Sequence, residues 1–188
     1  IWLSLSGGEV TLVKYYYEMV DLAVEQCRNL KILAFTTNAL AVDRAVEFAK
    51  YAKKKGLDVL ITISLDGDEE THDKLRGIKG NYKKCVKLYE KLKSENINVN
   101  YGITVSDSNG EFIENKFKFY KEKIRAVTFV HSEGIYKIEN QQEDKKILKS
   151  LKTIYQNYLI RNIQEIIEKI HIKISIKFLK EMRKKKYY

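Results

Sequence analysis

Gly7, Gly8 and Glu9 follow an apolar run at the start of the chain and precede a helical pattern. Two neighbouring glycines at the end of a strand let another molecule approach the bare backbone, because neither carries a Cβ atom. Carbonyl oxygens and a carboxylate are acceptors for an ammonium group. The segment therefore predicts a site for a ligand that carries an amine. The simpler alternative is a turn in which Glu9 stabilises a helix N-terminus.

A second group of polar residues lies in the segments Ile63–Gly67 (Ile-Ser-Leu-Asp-Gly) and His72–Gly77 (His-Asp-Lys-Leu-Arg-Gly). The Ser64 hydroxyl can donate one hydrogen bond, and the Arg76 guanidinium can bind a carboxylate through two parallel bonds. For Arg76, a surface ion pair with a nearby acidic residue remains equally open.

Short β-rich runs alternate with longer amphipathic runs through the first two thirds of the chain, which predicts βαβ units and a parallel sheet. The predicted strands are 1–5, 31–35, 57–63, 97–105 and 126–131. The predicted helices are 11–27, 42–55, 81–94 (capped or preceded by Asn81) and 111–123, and residues 64–80 are predicted as a loop. Residues 144–170 have helical periodicity, whereas the segment after them fits either a helix or a strand.

The polar segments all follow predicted strands, at the edge where parallel sheets hold their ligands. Thr37 and Asn38 follow the second strand, and His131 ends the fifth, where it is a candidate cofactor or substrate contact. His72 is expected to cap or pair within its own acidic segment. Convergence on one edge, more than any single motif, predicts a ligand site.

The order and spacing of these segments resemble the radical S-adenosylmethionine (radical SAM) enzyme family. The resemblance is to its peptide- and protein-modifying branch, which includes the sulfatase maturases with their SPASM domains. It implies an α/β fold, a partial parallel (β/α)6-type barrel lacking its first β-α unit over residues 1–134. A helical, basic C-terminal extension would occupy residues 135–188.

The resemblance also implies roles in binding S-adenosylmethionine. Gly7, Gly8 and Glu9 would hold its ammonium group, and Ser64 with Arg76 its carboxylate. The full set of candidate cofactor-binding residues is Gly7, Gly8, Glu9, Thr37, Asn38, Ser64, Arg76 and His131. The chain has Ala39 where the family has glycine, and an alanine resists a positive φ.

The two cysteines, Cys27 and Cys85, cannot supply the three-cysteine loop that holds the family's 4Fe-4S cluster. We therefore expect an N-terminally truncated chain that is inactive alone and holds no metal itself. The intact enzyme would take electrons from a donor and reductively cleave S-adenosylmethionine to a 5′-deoxyadenosyl radical. That radical would abstract hydrogen from a substrate, which the motifs suggest is a peptide or protein.

The formal net charge of +10 leaves two alternatives open. A basic tail from Lys173 to Lys186 could bind nucleic acid, but the abundance of Lys, Ile, Asn and Tyr with zero prolines indicates a general compositional bias. A non-catalytic module that binds S-adenosylmethionine is the other alternative. Two isolated thiols, no leader-like start and no long apolar run favour a reducing, cytoplasmic location.

Overall fold

The computed structural model describes residues 1–129 and 141–185. The strands are β1 (Trp2–Leu5), β2 (Ile32–Thr37), β3 (Asp58–Ser64), β4 (Asn98–Val105) and β5 (Ile124–Phe129). The helices are α1 (Tyr16–Gln26), α2 (Val42–Lys54), α3 (Glu69–Arg76), α4 (Asn81–Ser94), α5 (Gly110–Tyr120), α6 (Gln141–Asn157) and α7 (Ile163–Lys185). A short 3-10 turn, Val10–Leu12, precedes α1.

The five strands form one sheet in the order β1-β2-β3-β4-β5. β1 runs parallel to β2 with Trp2 opposite Ile32, and β2 runs parallel to β3 with Ile32 opposite Asp58. In β2, Leu33, Ala34 and Phe35 are buried in succession, as expected of a strand covered on both faces. The predicted α/β class with parallel strands is confirmed.

Contacts along the chain divide it into two compact units. The first comprises Ile1–Leu65 with Arg76–Tyr101, and the second comprises Asp66–Leu75 with Gly102–Tyr188. The predicted boundary between residues 134 and 135 lies outside the described residues, so that division of the chain stays a prediction.

Aromatic packing fills the core of the first unit. The Phe48 ring of α2 lies 5.1 Å from the Phe35 ring of β2 and 4.4 Å from the Tyr16 ring of α1, measured between centroids. All three side chains are at most 2% exposed. Edge-on and tilted pairs of this kind add to the stabilisation from burial alone, so the two helices are held firmly on the strands that carry the polar segments.

The prediction that residues 64–80 form a loop is wrong over Glu69–Arg76, which is α3. The Asp68 carboxylate accepts a hydrogen bond from the Thr71 N–H at 3.2 Å, which caps the start of the helix. Glu69 and Glu70 then occupy the first turn, where negative charge is favourable. The helix was missed because it has few apolar residues, and therefore little apolar periodicity.

The sequence after residue 170 fits either a helix or a strand. In the structure it is helical, since α7 continues through residues 172–176. Ile172, Ser175 and Leu179 are buried, and their spacing of three and four residues places them on one helical face. α7 packs against α6 and β5 in the second unit. Among the described residues, no helix combines the length and apolar character needed to cross a bilayer.

A half-buried carboxylate fastens α7 to β5. Glu168 Oε1 accepts a hydrogen bond from the Val127 N–H at 2.8 Å. Burial raises the pKa of Glu168 above its ordinary value of 4.5, although the Val127 N–H and nearby His171 act in the opposite direction. The folded chain therefore binds this proton more tightly than the unfolded chain does.

Replacement of Glu168 by glutamine tests this contact through pH. Because the folded-state pKa is raised, the contribution of Glu168 to stability is fully present below the unfolded pKa and is lost as pH rises through the folded pKa. Glutamine keeps the acceptor oxygen and does not titrate. We expect the stability of the wild type relative to Glu168→Gln to decline from pH 4 to pH 7, measured by urea unfolding. A difference that is constant or grows with pH would contradict the assigned shift.

Candidate cofactor site at the ends of the first three strands

The Glu9 carboxylate is the centre of the predicted site. Its Oε1 accepts hydrogen bonds from the Thr11 N–H at 3.2 Å, the Thr11 hydroxyl at 2.7 Å and the Thr37 hydroxyl at 2.7 Å. Its Oε2 accepts one from the Asn38 N–H at 2.7 Å. Hydrogen bonds to an ionised acceptor are about twice as strong as neutral ones. Glu9 therefore joins the turn after β1 to the turn after β2.

Beside this carboxylate the backbone of Gly7 and Gly8 is exposed. Gly7 has φ 121°, a conformation that side chains rarely adopt, whereas Gly8 lies outside that range. A Cβ atom built on either residue would meet no protein atom within 4 Å. This open space next to a carboxylate fits the approach of a ligand with an ammonium group. Oε2 accepts a hydrogen bond from the Asn38 N–H, and a carboxylate oxygen can accept a second one from such a group.

The turn after β2 is closed by its own side chains. The Thr37 hydroxyl accepts from the Ala39 N–H at 3.1 Å, and Asn38 Oδ1 accepts from the Leu40 N–H at 3.1 Å. Ala39 has φ 60° and is 1% exposed. The turn therefore requires a left-handed conformation at residue 39. The family has a glycine at this position, and in this protein an alanine adopts the conformation.

The end of β3 is linked to the turn after β2 through the first turn of α4. The Asn81 Nδ2 donates to the Asn38 carbonyl at 2.9 Å, and the Cys85 Sγ lies 3.6 Å from the Ser64 carbonyl oxygen. Ser64 itself is half-buried. Asn81 does not cap α4, because the N-cap of this helix is Gly80, at φ 81°. The Asn81 side chain instead donates to the Asn38 carbonyl just after β2.

The described contacts join Glu9 to Thr37 and Asn38 directly, and join Asn38 to Ser64 through α4. Arg76 is the last residue of α3 and is half-buried. His131 lies outside the described residues. The roles of all eight candidates in binding a cofactor stay predictions.

In the second unit, Asp66 and His72 belong to the same segment and contact each other inside the protein. His72 is fully buried, and its Nδ1 accepts a hydrogen bond from the Asp66 N–H at 3.1 Å. The Asp66 carboxylate accepts from the Thr104 N–H at 3.0 Å, and the Asp66 carbonyl accepts from Asn109 Nδ2 at 2.9 Å. This part of the second motif is a buried polar network that orders its own loop.

A 4Fe-4S cluster does not fit the residues of this chain. Cys27 is exposed and Cys85 is buried among hydrogen-bonded carbonyls. In the part of the chain that the structure describes, no group of three or more His, Cys, Asp and Glu side chains is placed to hold a metal ion.

Three residues of the site escaped sequence reasoning: Thr11, Asn81 and Cys85. Thr11 is fully buried next to Glu9, and a hydroxyl two residues after the glutamate was the only signal for it. Asn81 directly follows a glycine, which indicates a helix start but not a bond to another strand end. Cys85 resembles any small buried residue of an amphipathic helix.

Comparison with known proteins identifies relatives, although no family model matches the chain. The sporulation killing factor maturation protein SkfB of Bacillus subtilis is 33% identical over 109 residues, 58% of this chain and 25% of the relative. The Fe-coproporphyrin III synthase of Methanosarcina barkeri is 35% identical over 130 residues, 69% of this chain and 31% of the relative. A cysteine-type anaerobic sulfatase-maturating enzyme of Clostridium novyi is 28% identical over 135 residues, 68% of this chain and 35% of the relative.

The fold has counterparts among solved structures. The enzyme anSMEcpe with bound AdoMet and a peptide matches with a TM-score of 0.63 and 21% identity, over 82% of this chain and 45% of that chain. The same enzyme with AdoMet alone matches with a TM-score of 0.64 and 22% identity, over 84% of this chain and 46% of that chain.

The chain spans about a quarter to a third of the length of the three curated relatives named above. The relatives are radical SAM enzymes.

Replacement of Glu9 by alanine removes an acceptor shared by three residues. We expect the free energy of unfolding to fall by about 2 kcal/mol, the scale of hydrogen bonds to a charged group. Urea unfolding measures the change, with Glu25→Ala at an exposed position of α1 as the control. Equal stability of the two variants would show that the Glu9 contacts do not hold the turns together.

Ala39 tests the turn after β2. A β-branched residue is disfavoured at φ 60°, so Ala39→Val should lower the free energy of unfolding by about 2 kcal/mol or more. Ala39→Gly relieves the backbone but loses a buried methyl group, and should stay within about 1 kcal/mol of the wild type. Thermal or urea unfolding of the two variants measures the difference in stability. A valine variant as stable as the glycine variant would contradict the positive φ at residue 39.

Proposed function

We propose that this chain, which belongs to the radical SAM family in the branch of the sulfatase-maturating enzymes and SkfB, supplies one wall of a site for S-adenosylmethionine. The observation that carries the proposal is the Glu9 carboxylate, which joins the turns after β1 and β2 beside the open backbone of Gly7 and Gly8. A carboxylate fixed by four protein hydrogen bonds keeps its position whether or not a ligand is present. Such a preorganised anion suits an ammonium group.

The methionyl end of the ligand would lie along these strand ends. The Gly7 and Gly8 carbonyl groups and Glu9 would accept from its ammonium group. Ser64 would donate to its carboxylate, with Arg76 as a second, charged donor. The turn Thr37–Asn38 would complete the contacts on this side, and His131 stays a predicted contact of the cofactor. In the family the bound cofactor supplies a 5′-deoxyadenosyl radical that abstracts hydrogen, and the protein contributes binding, orientation and exclusion of water.

The strands of this chain would form part of a parallel (β/α)6-type barrel that lacks the first β-α unit. Support comes from the fold match to a radical SAM enzyme over less than half of that enzyme's length. The cysteines that hold the 4Fe-4S cluster would come from outside these 188 residues. On this proposal the 188-residue chain does not turn over by itself.

A peptide or protein is the proposed substrate of the whole enzyme. SkfB and the Clostridium novyi enzyme are named for the maturation of a sporulation killing factor and of a sulfatase. The solved neighbour carries a bound peptide. The Fe-coproporphyrin III synthase shows that relatives of similar identity also have names outside peptide chemistry, so the substrate must be tested on the whole enzyme.

The test is S-adenosylmethionine binding to the whole enzyme that contains this chain, measured by titration calorimetry. Ser64→Ala should weaken binding about fivefold, the effect of one lost hydrogen bond. Gly8→Ala should weaken it about tenfold, because its methyl group occupies the open space where the ligand approaches the backbone. Gly8→Ala should leave the free energy of unfolding unchanged, since Gly8 has no positive φ and no atom lies within 4 Å of the added Cβ.

Ser94→Ala is the matched control, because Ser94 is an exposed serine whose hydroxyl donates to the Lys91 carbonyl at the far end of α4. Its affinity should equal that of the wild type. Binding that is insensitive to Gly8→Ala and Ser64→Ala would place the ligand elsewhere. No detectable binding by the wild type would refute a site carried by this chain.

A further inference from the structure

The first turn of α4 presents two buried donors to the ends of two different strands. Asn81 and Cys85 are both fully buried, and residues four apart lie on the same face of a helix. Asn81 Nδ2 lies 2.9 Å from the Asn38 carbonyl oxygen, just after β2. Cys85 Sγ lies 3.6 Å from the carbonyl oxygen of Ser64, the last residue of β3, and 4.0 Å from that of Asn38.

Asn38 lies just beyond β2 and Ser64 is the last residue of β3, so both carbonyl groups lie where the strands end. At the end of a strand the ladder of backbone hydrogen bonds stops, and a buried carbonyl without a donor is costly. α4 supplies the donors from side chains rather than from its backbone. The position of the helix is therefore coupled to the two turns that carry Asn38 and Ser64.

Asn38 is held from both sides as a result. Its N–H donates to Glu9 Oε2 at 2.7 Å, and its carbonyl oxygen accepts from Asn81 Nδ2 at 2.9 Å. The peptide groups before and after Asn38 are thereby both fixed. Ser64 is held through its carbonyl group, which lies 3.6 Å from the Cys85 Sγ. The position of its backbone then determines where its hydroxyl lies.

We propose that Asn81 and Cys85 are positioning residues that set the distance between the turn after β2 and the end of β3, and so the width of the site for S-adenosylmethionine. This inference rests on the proposed function. Neither residue touches the ligand; both act through Asn38 and Ser64. The amide is the stronger donor and the thiol the weaker one, so Asn81 makes the larger contribution.

The Cys85 thiol has no redox role in this arrangement. Reactive cysteines are partially exposed and lie in electropositive surroundings. Cys85 is fully buried, and its Sγ lies near the carbonyl oxygens of Ser64 and Asn38. It acts as a small, weakly donating side chain between two strand ends.

The experiment compares Asn81→Ala, Cys85→Ala and the double variant with Leu92→Val. Leu92 is a fully buried residue of α4 nearly three turns beyond Asn81, so its variant perturbs the packing of the same helix without removing a donor. Titration calorimetry gives the affinity for S-adenosylmethionine, and thermal unfolding gives the midpoint. Where Asn81→Ala fails to fold, Asn81→Leu, which has a similar size and no donor, replaces it with the same expected loss of affinity.

We expect Asn81→Ala to weaken binding about fivefold to tenfold and Cys85→Ala about twofold. The double variant should lose less than the product of the two, because both donors act on the Asn38 carbonyl. Leu92→Val should lower the unfolding midpoint yet keep wild-type affinity. Equal affinity in the wild type and Asn81→Ala, or a parallel loss in Leu92→Val, would overturn the proposal.

Amide hydrogen exchange separates this proposal from the proposed function. If the wild type does not bind S-adenosylmethionine, the proposed function fails, and the exchange rates at Asn38, Ala39 and Leu40 judge the positioning role. Exchange at these amides should be faster in Asn81→Ala and Cys85→Ala than in Leu92→Val. Equal rates in the three variants would refute the positioning role.

Discussion

A parallel sheet leaves the backbone groups at its strand ends without partners, and the first unit of this protein depends on how side chains satisfy them. Glu9 accepts from the turn after β2, and Asn81 donates to the same turn. The turn carrying Thr37 and Asn38 is thereby fixed by one carboxylate and one amide from different elements. The Glu9 bonds have a charged acceptor and the Asn81 bond has a donor from a fully buried side chain, so these contacts restrain the turn.

This arrangement separates two functions within one short motif. In Gly7-Gly8-Glu9, the glycines leave open space at exposed backbone, whereas the glutamate is engaged by protein donors. On the proposed function, a ligand would meet a surface whose shape is set during folding. Its binding would then cost little reorganisation, which is how preorganised sites gain affinity.

The sequence was sufficient for the alternation of strands and helices and for the location of polar segments at strand ends, because both follow from local hydrophobic patterns. It was insufficient for α3, whose start is capped by Asp68 and whose eight residues are mostly polar. It was also insufficient for Asn81 and His72, because their partners Asn38 and Asp66 are determined by tertiary contacts. A buried side chain that donates to a distant carbonyl leaves no periodic pattern in the chain.

Ala39 shows how a departure from a family pattern can be accommodated. Its φ of 60° is a conformation that glycine adopts freely and alanine does not. The strain persists because the Thr37 hydroxyl accepts from the Ala39 N–H while donating to Glu9. The Glu9 carboxylate thus shapes the predicted ligand site and also holds the strained turn. A change that weakened its hydrogen bonds would therefore affect both.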